Sequence, residues 1–403
     1  MRTGLDRLRT DGALGAELLG CRVGLLAHPA SVDRRLVHAR HVLESMGVKV
    51  AVVFGPEHGY GGEAQDMIGV DDARDALGTP VRSLYGETFA ALSPRPCDLA
   101  LIDLLVVDLQ DVGSRYYTFV WTAVLAMRAC ARAPSPVRVL VLDRPNPIGG
   151  DPACLEGHRP ARALCSFVGL EPVPVRHGLT LGEIVAWRAE VEGLPRELVR
   201  VVGVDGLERA AHAPSWDRPF VMPSPNMPAY ETALVYPGGC LLEGTNLSEG
   251  RGTTRPFEIV GAPWLDGARL AADLGGLGLP GFRARPITFR PTFHKHAGRV
   301  CGGVQVHVEA GGDARAFRPY ATYLALIALA RAQDPQAFAF RTETYEFRDD
   351  VPAFDLLTGD PSVRERIARG EAPLSIAQDA AAVDAADRAV VAEAAHAGRA
   401  RSL

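Results

Sequence analysis

The chain has 403 residues, 47% hydrophobic and 23% charged, proportions of a globular protein long enough to bury a core without metal or disulfide staples. Lys plus Arg number 43 against 48 Asp plus Glu, a formal net charge of −5, which argues against a dedicated nucleic-acid binder. Its seven cysteines are odd in number, irregularly spaced and lack a C-x-x-C pair, so neither a zinc ribbon nor a disulfide framework is expected.

Charged residues interrupt the opening Met1–Leu8 stretch before an apolar leader could form, and no apolar run reaches about 18 residues. A cytoplasmic location without membrane contact is the expectation. In chain order, Arg22–Ala27 is a buried strand and Leu36–Met46 has helical spacing. Val48–Phe54, rich in β-branched residues, is a second strand. One or two strand segments fall in Asp98–Leu109, centred on Leu104–Leu109. Phe119–Ala133 is a helix and Val137–Leu142 another buried strand. Such apolar strands alternating with helices imply a parallel sheet covered on both faces, a Rossmann-like α/β layer domain. Asp143–Glu171 is Pro/Gly-rich loop. Thr180–Glu192 is a helix opened by a capping box, Thr180 with Glu183.

Beyond the Pro-rich stretch Pro214–Pro228 the pattern changes. Short strands such as Gly303–Val308 mix with helices such as Tyr320–Arg331, a smaller α+β domain. The expected division is 1–228 and 229–403. The Ala-rich tail Ala380–Ala397 favours one terminal helix.

Ligands of open α/β sheets bind beyond the carboxyl ends of the strands. Three polar segments fall there: Gly55–Gly62 with Glu57 and His58, Gln110–Tyr117 with Asp111, Arg115 and Tyr116, and Asp143–Gly150 with Asp143, Arg144 and Asn146. Glu57, in a stiff loop between Pro56 and His58, suits a general acid or base. His58 suits an acid/base partner, a hydrogen-bond donor to substrate or a brace of its own loop. Gly59–Ala64 fits G-x-G-x-x-A, but it starts five residues past its strand and lacks the acidic residue a dinucleotide site needs.

In the second half, Pro223–Pro228 offers Asn226, and Leu242–Glu258 offers Asn246, Ser248, Thr253 and Thr254 as hydrogen-bonding groups. Arg251 and Arg255 could fork onto a carboxylate. Glu243 and Glu249 are either a second acid/base group or ion-pair partners of these arginines. The segment would suit a sugar carrying a carboxylate and an N-acyl group. No H-E-x-x-H, G-x-S-x-G elbow or P-loop occurs, so no metal and no cofactor is expected; His294-Lys-His296, if a strand, places two imidazoles on one face.

These segments together resemble the NamZ-type exo-β-N-acetylmuramidases, also called YbbC-like proteins. The matching stretches are FGPEHGYGG at 54–62, DLQDVGSRYYTF at 108–119, DRPNPIGG at 143–150, PSPNMP at 223–228, EGTNLSEGRGTTRPFE at 243–258, GAPW at 261–264 and CGGVQVHV at 301–308, with FDLLTGD at 354–360. The resemblance implies a Rossmann-like domain, a smaller C-terminal domain and a cleft between them. It implies exo-lytic release of β-1,4-linked N-acetylmuramic acid from the non-reducing ends of peptidoglycan fragments, with Glu57 as the catalytic glutamate and the other loops as substrate walls. The partner is then a small amino-sugar, and the absent leader suits muropeptide recycling. Glycoside cleavage needs an acid and a second group, for which Asp111 and Glu249 are the candidates, unless the substrate's own acetamido group serves. The rival readings are a non-catalytic amino-sugar-binding module and a hydrolase of another N-acyl hexosaminide.

Overall fold

The computed structural model describes residues 1–65, 67–309 and 314–403. A seven-stranded sheet dominates the first half, built from β1 (Val23–Ala27), β2 (Val50–Gly55), β3 (Ala73–Arg74), β4 (Pro80–Ser83), β5 (Leu104–Asp108), β6 (Arg138–Leu142) and β7 (Val199–Val202). Its order is β3-β4-β2-β1-β5-β6-β7, parallel throughout except for the short β3 at the edge. Register runs Val23↔Leu104 to Ala27↔Asp108 between β1 and β5, and Leu104↔Arg138 to Val107↔Val141 between β5 and β6. Every residue of β1 and β5 is buried, as a sheet covered on both faces requires.

Alternate residues of each strand serve different cores. Leu25, Leu104, Val106 and Leu140 face one apolar layer, closed by Leu5, Leu8, Leu14, Leu18 and Leu43 from the helices Gly4–Thr10, Gly12–Leu19 and Ala39–Ser45. Leu26, Leu105, Val107 and Val139 face the other, covered by the helices Phe119–Arg132 and Leu181–Val191. This second core continues without a break into the second half of the chain. The capping box of Thr180 and Glu183 forms as expected.

The second half carries a small antiparallel sheet, ordered β8-β10-β9, of β8 (Ile259–Ala262), β9 (Phe282–Phe289) and β10 (Cys301–Val308). The paired glycines of β10 are spatial necessities, because a Cβ on Gly303 would lie 1.9 Å from the Val260 carbonyl oxygen. The helix Pro319–Gln333 packs beside Tyr230–Gly239. The Ala-rich tail differs from the single helix expected: one helix ends at Ala381, and a new one runs Ala385–Arg401. Asp384 starts it with a capping box to Asp387, so a side-chain cap overrides uniform alanine propensity. That last helix returns to the large sheet and packs on Leu181–Val191. His294-Lys-His296 is not a strand: His294 and His296 both have left-handed backbone, with φ of 65° and 56°. Among the described residues no helix is long and apolar enough to cross a membrane.

Candidate active site

Because β2, β5 and β6 run parallel, their carboxyl ends share one edge, and the three polar segments emerge there together. On this edge the loops after β2 and β5 meet the Pro223–Pro228 segment and the second half of the chain around a pocket. Glu57 is only 5% exposed and lines it. Thr118 stands at the N-cap of the helix Phe119–Arg132 but makes no side-chain cap; its hydroxyl donates instead to Glu57 Oε2 at 2.6 Å. The hydroxyl thus gives up a cap to fix the carboxylate's orientation.

His58 follows with φ of 69°, a left-handed conformation that turns its ring into the pocket wall. Its Nδ1 lies 2.9 Å from the Ala64 carbonyl, which can only accept, so Nδ1 carries a proton. Behind it His28 is fully buried, and burial pushes its pKa down to about 3. His28 Nδ1 donates to the Pro223 carbonyl and Nε2 accepts from the Gln110 amide, so one neutral ring ties three loops together.

The floor is aromatic. Tyr117 packs on Phe119 at 4.7 Å and edge-on to Tyr236 at 5.9 Å, and Tyr236 meets Phe257 at 4.9 Å. Burial holds the phenols of Tyr116, Tyr117 and Tyr236 neutral, well above the usual tyrosine range.

The far wall is a chain of alternating charge. Tyr345 Oη donates to Glu243 Oε2 at 2.6 Å, and Arg251 donates to Glu243 Oε1 at 2.7 Å. Arg251 Nε lies 3.3 Å from Glu249 Oε1, while Lys295 Nζ and His294 Nδ1 each reach a Glu249 oxygen at 2.9 Å. Burial alone would raise the Glu249 pKa, yet Lys295, His294 and Arg251 together hold it far below the carboxylate range. Glu249 is thus a fully buried anchor, and its partner Arg251 faces the pocket.

Of the residues singled out from sequence, Glu57, His58, Tyr116, Asn226, Glu243 and Arg251 line this pocket. Asn226 Nδ2 donates to Gln65 Oε1 at 2.9 Å. The others lie outside its lining. Asp111 sits in the loop after β5, accepts the Gly113 amide at 2.7 Å and lies 3.6 Å from His177 Nε2. Burial raises its pKa to about 7 and lowers that of His177 to about 3. Arg115 is spent on four carbonyls, those of His158, Val173, Leu357 and Thr358, at 2.7–3.2 Å. Two of these end the helix Ala353–Thr358, where a cation is favoured. Arg144 forms a buried fork on Asp108 at 2.5 and 2.8 Å. Asp143, raised to about 7 by burial, accepts from the Thr180 hydroxyl and the Gly182 amide. Asn146 bonds the Leu179 carbonyl and Ile148 amide, and Thr253 its own turn at the Gly250 carbonyl. Asn246 bonds Ala337 and Ala339 and borders a neighbouring groove with Lys295 and Arg341.

Residues missed from sequence include Tyr117, Thr118, Phe119, Ser224 and Phe257, all inside the motif stretches but apolar or small enough to pass for packing. Tyr345 and Glu346 lie outside every motif and carried no signal. As to metal, His158, Asp384 and Asp387 are the group of potential ligands among the described residues. Asp384 and Asp387 form the helix cap, and Asp387 also pairs with Arg159 at 2.8 Å, so the cluster is already satisfied structurally.

A parallel sheet presenting an oriented carboxylate at its carboxyl edge, enclosed by a second half bearing further carboxylates and aromatic rings, defines an α/β enzyme with a carboxylate-lined pocket. Residues 23–231 match the family model of the N-terminal part, and residues 234–386 that of the C-terminal part, of the exo-β-N-acetylmuramidase NamZ. The peptidoglycan β-N-acetylmuramidase NamZ of Bacillus subtilis strain 168 is 39% identical over 375 residues, covering 92% of this chain and 85% of that protein. Two crystal structures of DUF1343 family proteins from Bacteroides fragilis superpose over the whole chain and 98% of theirs, with TM-scores of 0.82 and 0.72 at 29% and 25% identity. The chain belongs to the NamZ exo-β-N-acetylmuramidase family, a family of glycoside hydrolases.

Proposed function

We propose that this protein hydrolyses the β-1,4 bond that links a terminal N-acetylmuramic acid to the next sugar of a peptidoglycan fragment, with Glu57 as the acid that protonates the leaving oxygen. The observation that carries the reading is the Thr118–Glu57 hydrogen bond of 2.6 Å, which aims a buried carboxylate into a pocket built by both halves of the chain. Family membership supports the substrate class. On this reading 1–228 and 229–403 are two domains closing on the substrate. His58, Tyr116, Asn226 and Arg251 contact the sugar, Arg251 meeting its lactyl carboxylate. Asp111 and Glu249 act from behind the wall, positioning the loops that carry the contacts.

The test uses para-nitrophenyl β-N-acetylmuramic acid, the matching N-acetylglucosamine glycoside and the disaccharide MurNAc-GlcNAc. Cleavage of the two muramic compounds alone is expected. Glu57→Gln keeps an acceptor for the Thr118 hydroxyl, so it should fold normally and lose about 10²–10⁴-fold in disaccharide turnover. Near-wild-type turnover by a folded Glu57→Gln variant would sink the assignment of Glu57.

A further inference from the structure

Among the described residues three carboxylates line the pocket: Glu57, Glu243 and Glu346. Hydrolysis of a glycoside uses two, one to protonate the leaving oxygen and one to act on the anomeric side. Glu243 is committed to Arg251 at 2.7 Å and to the Tyr345 phenol at 2.6 Å. Glu346 accepts from the Tyr85 hydroxyl, which lies 3.3 Å from each of its oxygens.

The backbone at Glu346 is unusual. Tyr345 and Arg348 exchange amide-to-carbonyl hydrogen bonds at 2.9 and 3.0 Å around a two-residue turn. Glu346 and Phe347 at its tip have φ of 46° and 67°, the tight type I′ hairpin geometry that favours Asn and Gly. Two ordinary side chains persist there because surrounding groups over-determine the conformation. Phe347 packs among Tyr85, Phe89 and Phe167 at 5.9–6.2 Å, and Arg348 bonds the Ala163 and Cys165 carbonyls. All five of these residues belong to the first half of the chain. The turn of the second half is thus clamped into the first, and its carboxylate is delivered to the pocket that holds Glu57. Among the described residues eight non-glycines have left-handed backbone, and three of them, His58, Phe257 and Glu346, line this pocket.

We propose that Glu346 is the second reacting carboxylate, the base that takes the proton of the attacking water; the assignment rests on the hydrolase reading above. Water oxygen bonds to the anomeric carbon while its proton passes to Glu346. The bond from that carbon to the leaving oxygen breaks, and Glu57 protonates the leaving oxygen. Glu57 leaves the step ionised and Glu346 protonated, and exchange with solvent restores both.

The two carboxylates separate by leaving group. Para-nitrophenolate departs with little help, so loss of the acid spares the aryl glycoside, whereas loss of the base harms both substrates. Glu346→Gln and Glu346→Gly are therefore measured on para-nitrophenyl β-N-acetylmuramic acid and on MurNAc-GlcNAc, beside wild type and Glu57→Gln. Glycine adopts a φ of 46° without strain, which keeps one variant folded whatever glutamine does. Expected for both variants is a loss of about 10²–10⁴-fold in kcat on both substrates, with the acidic limb of the pH–rate profile gone. Variants within about tenfold of wild type, a loss confined to KM, or a persisting acidic limb would overturn the assignment of Glu346 while leaving the hydrolase reading intact. A wild-type protein inactive on both muramic substrates would overturn both.

Discussion

Glu249→Gln separates an ion-pair anchor from a reacting group. The Glu249 side chain is fully buried and touches Lys295, His294 and Arg251 at 2.9, 2.9 and 3.3 Å. Breaking a buried pair by removing one partner costs about 3–5 kcal/mol, because the remaining charges lose their compensation. At about 2.1 cal/mol/K of unfolding entropy per residue, 403 residues convert this loss to a fall in Tm of about 4–6 °C. The sign with pH is fixed by the depressed pKa. Stability from this carboxylate is fully present above its unfolded value, about 4.3, and drains away as pH falls below it toward the folded value. The gap in Tm between wild type and Glu249→Gln should therefore be widest at neutral pH and narrow steadily in acid. Calorimetry of both proteins from neutral pH to pH 3, paired with kcat and KM on MurNAc-GlcNAc, reads it. KM should rise through the slackened Arg251 while the pH–rate profile keeps its shape. An unchanged Tm with kcat abolished would refute the anchor argument and return Glu249 to the reaction itself.

Two further outcomes follow from groups behind the wall. Asp111 is buried and its pKa is raised to about 7, so folding favours its neutral form and wild type loses stability as pH climbs from about 4 to 7. Asp111→Asn keeps an acceptor for the Gly113 amide, so it should match wild type near pH 4 and exceed it by up to about 4 kcal/mol at pH 8; equal denaturation midpoints at pH 8 would contradict the burial argument. Arg115→Met leaves four carbonyls, three of them in buried contacts, without their donor, a loss of several kcal/mol at every pH, visible in urea denaturation. A variant that unfolds at the wild-type urea midpoint would show those carbonyls finding other donors.

The sheet was legible because apolar, β-branched runs such as Val50–Gly55 and Leu104–Asp108 leave one reasonable environment, a strand buried on both faces. The loops bearing the site were legible for the same reason, since a parallel sheet sends every carboxyl end to one edge. Which loop residue faces the ligand was not. Irregular chain cannot satisfy its own buried carbonyls and amides, so polar side chains do that work, and sequence does not distinguish a brace from a contact. Arg115, Arg144, Asn146 and Asn246 resembled ligand-binding groups, and each bonds a carbonyl or carboxylate of its own chain. Thr118 looked like a helix cap and holds the carboxylate. Glu346 escaped notice because its turn is stabilised by distant aromatic packing rather than by the Gly or Asn that local rules seek.

The glycine pattern after β2 shows how this loop departs from the turn of a dinucleotide-binding sheet. In a dinucleotide fold the glycines form the tight turn into a helix, and its amide groups point at a pyrophosphate. Here the Gly59 amide is bonded to the Pro56 carbonyl and the Gly62 amide to the Gly59 carbonyl, so these donors close the loop on itself. Gly59 and Gly62 have φ of 82° and 69°, and the turns they permit bring Ala64 back to accept from His58. Among the described residues no helix begins in this loop, and its glycines shape a rigid frame around Glu57 and His58 instead of an anion cradle. The helix that does begin at the pocket, Phe119–Arg132, belongs to the next loop, and its N-cap threonine is turned toward a protein carboxylate. Where a nucleotide enzyme uses a helix start to hold a ligand's negative charge, this chain uses one to aim its own.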